Sequence, residues 1–306
     1  MFNLGSGTPE RSSLALAFHD GFVRVLGYRI YYKSIGTPSK GTILCLHGGP
    51  GVNHWTDINM ADLAPSGYRV VWYDQLGCGK SEKPRSYRNY TIERAADEAE
   101  AVRRRLRLGR VHLWGHSYGG SLALQTTLSH PRGFISLVVS SGYASTAQWV
   151  AELRRLVSRL PTKTRMTIEA SEAKGRFDDP RYKKAVAEFM RRHFSDLRVP
   201  PYNMAIATGN TKIMRAMVGE SEAITAPMTG SLAPWNVKGK LKQIRVPTLV
   251  TVGARDLVTP ACARTIHRGI RGSRLVIFRR SGHDALSKER DLYIETVRNF
   301  LDNVSH

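Results

Sequence analysis

Between Val111 and Gly120 the chain reads Val-His-Leu-Trp-Gly-His-Ser-Tyr-Gly-Gly, an apolar strand pattern that passes through Gly-x-Ser-x-Gly directly into a helical pattern. Few backbones can use such a run. A strand that reverses into a helix within a few residues leaves no room for a Cβ beside the reversal, which explains glycine at positions 115 and 119. The serine between them is then held in a strained conformation with its hydroxyl exposed, the arrangement called a nucleophile elbow. This segment therefore predicts a strand, sharp turn and helix within a parallel-sheet protein.

The rest of the chain fits that frame. From Phe22 to about Gly142, short β-branched runs alternate with helical patterns, the βαβα rhythm of a parallel sheet. Val23–Val25 and Tyr28–Lys33 are expected to form an opening hairpin across Leu26-Gly27. Strands are expected at Gly41–Leu46, Tyr68–Tyr73, Val111–Trp114 and Phe134–Ser140, with helices near Ile92–Leu108 and Tyr118–Leu128. Between Tyr143 and about Lys242 strand patterns vanish, and amphipathic helices broken by Pro161, Pro180 and Pro200-Pro201 take over. The α/β rhythm returns at Thr248–Val252, with a helix at Cys262–Ile270, a strand at Arg274–Phe278 and a closing helix over Lys288–Asn303. The expected organisation is an α/β core over residues 1–142, a helical cap over 143–242 and the remainder of the core over 243–306.

Composition sets outer limits. With 306 residues, 42% hydrophobic and 23% charged, the chain can bury a large core and is not disordered. No apolar run reaches the roughly 18 residues that span a bilayer. The stretch Met1 to Asp20 holds only the short patch Leu14–Phe18, without a basic region ahead of it, so a cytoplasmic location is expected. Cys45, Cys78 and Cys262 are far apart and odd in number, which argues for reduced thiols and against a thiolate metal site. Neither a metal nor a cofactor is expected. The net charge of +21 is unusual, but the basic clusters around Arg103–Arg107 and Arg154–Arg192 lie in amphipathic helical patterns. No zinc finger, helix-turn-helix or aromatic RNA-binding signature accompanies them, so nucleic acid is not an expected partner.

A serine hydroxyl becomes a nucleophile when a base takes its proton, and the base needs an orienting carboxylate. In an elbow architecture the order is Ser, then Asp or Glu after a late strand, then His after the last strand. Asp256 follows the strand pattern Thr248–Val252, and His283 follows Arg274–Phe278 in Ser281-Gly282-His283-Asp284. His116 adjoins the nucleophile but points across the turn. His47 and His54 belong to another loop, His130 and His193 to helix ends, and Asp284 is too close in sequence to reach the far nitrogen of the base. Ser117, Asp256 and His283 are thus the candidate catalytic residues. Acyl transfer also needs donors for an oxyanion. The backbone N–H of Tyr118 is one, and the glycine-rich loop after the third strand, Leu46-His47-Gly48-Gly49-Pro50-Gly51, offers the other.

His47-Gly48-Gly49-Pro50-Gly51, Tyr73-Asp74-Gln75-Leu76-Gly77-Cys78-Gly79-Lys80-Ser81 and Gly115-His116-Ser117-Tyr118-Gly119-Gly120 together resemble the proline iminopeptidase (prolyl aminopeptidase) family of α/β-hydrolases. The similarity extends from Phe22 to the final helix. It implies the α/β-hydrolase fold, a mostly parallel eight-stranded sheet flanked by helices with an inserted helical cap. It also implies removal of an N-terminal residue, chiefly proline, from short peptides. By that resemblance Gly48 is the second oxyanion donor, Gly49, Pro50 and Gly51 lie beside the substrate, and Asp74–Ser81 is a supporting loop. A charged amino group in a closed pocket calls for carboxylates. The family places one in the cap and often another directly after the catalytic Asp, where this chain has Leu257. Gly219-Glu220-Ser221-Glu222, with Thr229–Leu232 and Trp235 downstream, resembles the cap glutamate segment, which makes Glu222 the first candidate for the amino group and Glu220 the second. Two other activities stay open. One is an amino-acid amidase or esterase of the same fold, and the other is a non-catalytic binding protein on a hydrolase scaffold. A dehalogenase or epoxide hydrolase of this fold would need an aspartate where Ser117 stands.

Overall fold

The structure is a computed structural model, and it describes residues 16–86, 90–194, 209–219 and 224–304. Eight strands form one sheet in the order β1-β2-β4-β3-β5-β6-β7-β8. They are β1 (His19–Val25), β2 (Tyr28–Ile35), β3 (Gly41–Leu46), β4 (Tyr68–Tyr73), β5 (Val111–His116), β6 (Phe134–Ser140), β7 (Thr248–Gly253) and β8 (Arg274–Phe278). β1 and β2 pair antiparallel across a two-residue turn in which Leu26 has φ 48° and Gly27 φ 83°. Two successive positive φ values match the right-handed twist of the flanking strands and so close the hairpin tightly. β2 also runs antiparallel to β4, whereas every pairing from β4 through β8 is parallel.

The central strands are buried on both faces, which is why their sequences read as unbroken apolar runs. On one face Leu44, Leu113, Val139 and Val250 pack beneath α1 (Ile92–Arg105) and α2 (Tyr118–Ser129). On the other, Cys45, Trp72, Trp114 and Leu249 pack against a 3-10 segment, His54–Ser66, and the C-terminal helix. Thr91 caps α1 by accepting from the Arg94 N–H, and the helix ends where Arg107 (φ 54°) and Gly109 (φ 67°) turn the chain, a few residues earlier than periodicity suggested.

Between β6 and β7 lie α3 (Thr146–Ser158), α4 (Thr162–Ala173), α5 (Pro180–His193) and α6 (Thr211–Met217). Pro161 precedes α4 and Pro180 occupies the first turn of α5, where a missing N–H costs nothing. The two ends of this insertion are tied together: Thr146 N–H donates to Trp235 O (3.1 Å) and Val237 N–H to Ala144 O (2.8 Å). After β7 come α7 (Pro260–Gly269), β8, a short helix α8 (Ala285–Lys288) that the sequence pattern did not announce, and α9 (Arg290–Val304), close to the closing helix expected over Lys288–Asn303. The break falls at Glu289, whose φ and ψ are −123° and 47°. Its buried carboxylate turns back to accept from Arg280 N–H (3.0 Å) and Ser281 Oγ (2.6 Å), so helix continuity yields to the loop after β8.

Candidate active site

Ser117 stands between β5 and α2 with φ 58° and ψ −124°, a conformation that L residues rarely adopt. Its neighbours show why the turn takes this sequence. A Cβ on Gly115 would lie 2.0 Å from Gly119 O, and one on Gly119 would lie 2.0 Å from Leu46 O. The helix start is thereby pressed onto β3, and the Ser117 side chain is lifted clear of the sheet.

Asp256 follows β7 and His283 follows β8, at the same edge of the sheet as Ser117, where ligands of open α/β sheets collect. Three side chains separated by up to 166 residues form one hydrogen-bonded line. Ser117 Oγ lies 2.8 Å from His283 Nε2, and His283 Nδ1 lies 2.7 Å from Asp256 Oδ1. Asp256 is 1% and His283 2% exposed, so water competes little for these bonds. The carboxylate fixes the proton on Nδ1 and leaves Nε2 free to accept the serine proton. Asp256 Oδ1 also accepts from Val258 N–H (2.7 Å), which holds the acid in place. Asp284 instead caps α8 by accepting from Ser287 N–H (3.1 Å).

The loops that carry Asp256 and His283 lean on one another and on the insertion. A Cβ on Gly253 would sit 2.0 Å from Gly282 O. His283 N–H donates to His193 O (3.0 Å) and Phe194 O (2.9 Å), and Leu257 N–H donates to His193 O (3.2 Å). His193 Nδ1 bonds Arg255 O at 2.9 Å, and the Phe194 ring lies 5.1 Å from the His283 ring. The last turn of α5 is thus part of the frame of the site.

Tyr118 is the first residue of α2, so its N–H has no partner within the helix. Gly48 approaches the elbow so closely that a Cβ there would be 3.2 Å from Ser117 Cβ. The preceding His47 orients this loop. Burial holds its imidazole below the usual histidine range and therefore neutral, so Nε2 accepts from Gln75 N–H (3.1 Å) while Nδ1–H donates to Gly48 O (2.9 Å). Gln75 Nε2 returns a bond to His47 O (2.9 Å). Behind it, Asp74 accepts from His54 Nδ1 (2.7 Å), His54 N–H (3.0 Å) and Lys80 N–H (2.8 Å). Burial works against the Asp74 charge, but these bonds outweigh it and hold its carboxyl below the ordinary value. Gly79 is required there, because a Cβ would fall 2.1 Å from Asp74 Oδ2. The 74–81 run is a self-bonded support for the 47–51 loop.

Over Ser117 and His283 lies a cavity of about 460 Å³, walled by Gly49 and Pro50 of the loop and by Tyr143, Trp149, Leu153, Phe189, Met190, Phe194, Val218 and Ile224 of the insertion. Asn210, also in the wall, is tied to the loop by its N–H, which donates to Gly51 O (2.6 Å). Tyr143 and Trp149 stack with centroids 4.7 Å apart. Among the described residues the lining contains no Asp, Glu, Lys or Arg, and Leu257 adds another apolar group. Glu222 and Glu220, the candidates for amino-group recognition, lie outside the described residues. Among the described residues no three His, Cys, Asp or Glu side chains gather as a metal site, and no helix is long and apolar enough to cross a membrane.

Sequence reasoning did not single out Asn210, Glu289 or Phe194 as parts of this surround. Asn210 comes from a segment without clear periodicity and Phe194 from a helix end, and their partners lie far off in sequence, while Glu289 bonds back across the loop after β8 through its side chain, so no periodic signal marks them.

Sheet order, elbow and cavity together define an α/β hydrolase, and the sequence model of the alpha/beta hydrolase fold matches residues 41–289. The chain belongs to the proline iminopeptidase family of these hydrolases. It is 38% identical over 291 residues to a proline iminopeptidase of Saccharolobus solfataricus, covering 93% of each chain. It is 35% identical to one from Thermoplasma volcanium, covering 92% of this chain and 96% of that one. The crystal structure of the proline iminopeptidase of Mycobacterium smegmatis superposes with a TM-score of 0.85 at 28% identity, over 94% of this chain and 99% of that one.

Proposed function

We propose that this chain is a serine aminopeptidase that releases an N-terminal proline, or another small apolar residue, from short peptides. The observation that carries the reading is the hydrogen-bonded line Ser117–His283–Asp256 opening into an apolar cavity. Ser117 is the nucleophile, His283 the general base and Asp256 the group that orients it. Ser117 Oγ attacks the carbonyl carbon of the first residue as its proton passes to His283 Nε2. The oxyanion that forms is received by the main-chain amides of Gly48 and Tyr118, already in place before the charge develops. His283 then gives its proton to the leaving amine, the C–N bond breaks, and an acyl-enzyme remains. Water, deprotonated by the same imidazole, attacks the ester and releases the amino acid.

The aromatic wall of Tyr143, Trp149, Phe189 and Phe194 suits a pyrrolidine ring, and about 460 Å³ is of the size that holds one or two residues. Gly49, Pro50 and Gly51 would lie along the peptide. For the amino group, Glu222 is the first carboxylate and Glu220 the second. Support comes from chain connectivity: Val218 and Ile224 both line the cavity, so residues 219–223 join two points of its wall.

Hydrolysis of the naphthylamides of Pro, Ala and Leu, of N-acetyl-Pro naphthylamide and of an uncharged nitrophenyl ester tests this. The expected order has Pro first, the acetylated compound inert, and every activity abolished in Ser117→Ala. Glu222→Gln is expected to raise KM for Pro-naphthylamide by about tenfold or more with little effect on the ester. Equal rates for free and acetylated Pro compounds would replace the aminopeptidase with an amidase or esterase. Turnover unaffected by Ser117→Ala would remove the enzyme altogether.

A further inference from the structure

His116, beside the nucleophile, takes no part in the line described above, yet both of its ring nitrogens face oxygen acceptors. Nε2 lies 3.0 Å from the main-chain O of His283, an acceptor, so it must carry a hydrogen. Nδ1 lies 3.4 Å from Asp57 Oδ1, within ion-pair distance, and that buried oxygen has no hydrogen-bond partner among the described residues. The other Asp57 oxygen is occupied by Thr56 Oγ1 at 2.9 Å. With its hydrogen on Nε2, a neutral imidazole would set the Nδ1 lone pair against the carboxylate oxygen, whereas an imidazolium places positive charge beside it. Its side chain is 13% and that of Asp57 1% exposed, so the pair is shielded from water. The His116 ring also lies 4.9 Å from that of His283 and stacks on Trp114 along β5.

We propose that Asp57 and His116 form a buried charged pair that clamps the main-chain carbonyl of His283 and sets the charge behind its ring, making both positioning residues for the base. Asp57 is brought there by the 3-10 segment, whose backbone kinks at this residue (φ −122°, ψ 15°). The inference rests on the reading of Ser117 and His283 as nucleophile and base. The surrounding titratable groups are few. His283 and Asp284 face His116 from the loop after β8, and Cys45, His47 and Tyr293 face Asp57 from β3, the loop after it and α9. Burial works against the His116 charge, but Asp57, then Asp284 and the His283 carbonyl, overcome it and raise the imidazole to about 9. The pair is therefore net neutral through the pH range in which a histidine base operates.

His116→Gln is the discriminating variant. Its amide N–H can still reach the His283 carbonyl, but the positive charge is gone and Asp57 is left as a bare negative charge behind the base. Negative charge there favours the protonated base, so the acid limb of the rate profile moves to higher pH by roughly one unit. In the double variant Asp57→Asn/His116→Gln the pair is neutral again and the limb returns toward the wild-type position. The same double variant serves if the single one folds poorly.

The readout is the second-order rate at which an organophosphonate fluoride phosphonylates Ser117, measured from pH 5 to 10 with kcat/KM for Pro-naphthylamide alongside. Phosphonylation depends on the serine and its base whatever peptide is the substrate. A limb that moves in the single variant and returns in the double supports the pair. A limb that stays in place in His116→Gln, or that moves equally in the double variant, overturns it. Failure of the wild-type protein to react with the probe would instead overturn the reading of Ser117 as nucleophile.

Discussion

Gly119 shows how narrowly the elbow is specified. The Leu46 carbonyl that a Cβ would strike belongs to β3, which is hydrogen-bonded to β4 and β5 and cannot retreat. Gly119→Ala should therefore cost about 3 kcal/mol or more in a urea titration and remove detectable turnover, whereas Gly239→Ala, where a Cβ meets nothing within 4 Å, should alter neither. Asp256→Asn probes the acid separately. An amide can keep the bond to Val258 N–H, but it cannot hold the proton on His283 Nδ1 and carries no charge to stabilise the imidazolium. The proposed role predicts a kcat lower by about 10³ to 10⁴ with KM changed little, measured on Pro-naphthylamide. A loss below tenfold would contradict the role. These residues are legible in the sequence because each sits at the end of a strand whose apolar run announces it. Asp57 is not, because it lies in a 3-10 segment with no periodic stripe and the histidine it approaches comes from about 60 residues away.

At the scale of elements, α5 is the telling case. Its amphipathic pattern and Pro180 start mark it as a helix, but nothing in the pattern reveals that its last carbonyls accept from the N–H groups of His283 and Leu257. Backbone bonds of this kind leave no side-chain signature. The periodicity from Lys288 onward gives the closing helix α9, but it does not show the short α8 before it, nor that the buried Glu289 carboxylate between them turns back to the loop after β8. Gly282 gives access to the α5 contact. A Cβ on it would lie 2.8 Å from both His193 O and Phe194 O. Gly282→Ala should push the end of α5 away from the loop after β8 and loosen the bonds that seat His283. We expect kcat to fall by about tenfold or more while stability drops by only about 1 to 3 kcal/mol, because the sheet beneath is untouched. Equal kcat in mutant and wild type would show that α5 merely covers the site.

Over the whole molecule, β5 carries two histidines on one face that are shifted in opposite directions, which should shape how stability varies with pH. His112 is buried against Tyr68, with Nδ1 2.8 Å from Ser136 Oγ, and burial pulls it down to about 4. His116, despite burial, is raised by Asp57 to about 9. In the unfolded chain both titrate near 6.5. For His112 the folded value is the lower one, so its neutral form contributes stability that is complete above about 6.5 and is lost progressively as pH falls toward 4. For His116 the folded value is the higher one, so the contribution of its charged form is complete below about 6.5 and is lost as pH rises toward 9. Each loss amounts to about 3 kcal/mol at full extent. Stability should accordingly peak between about pH 6 and 7. Urea midpoints at pH 5, 7 and 9, compared between wild type and variant at one salt concentration, cancel the general repulsion of a chain carrying +21. His112→Asn should flatten the acid side alone, and His116→Gln, though less stable at pH 7, should flatten the alkaline side alone. Parallel pH curves for all three proteins would show that other groups govern both limbs.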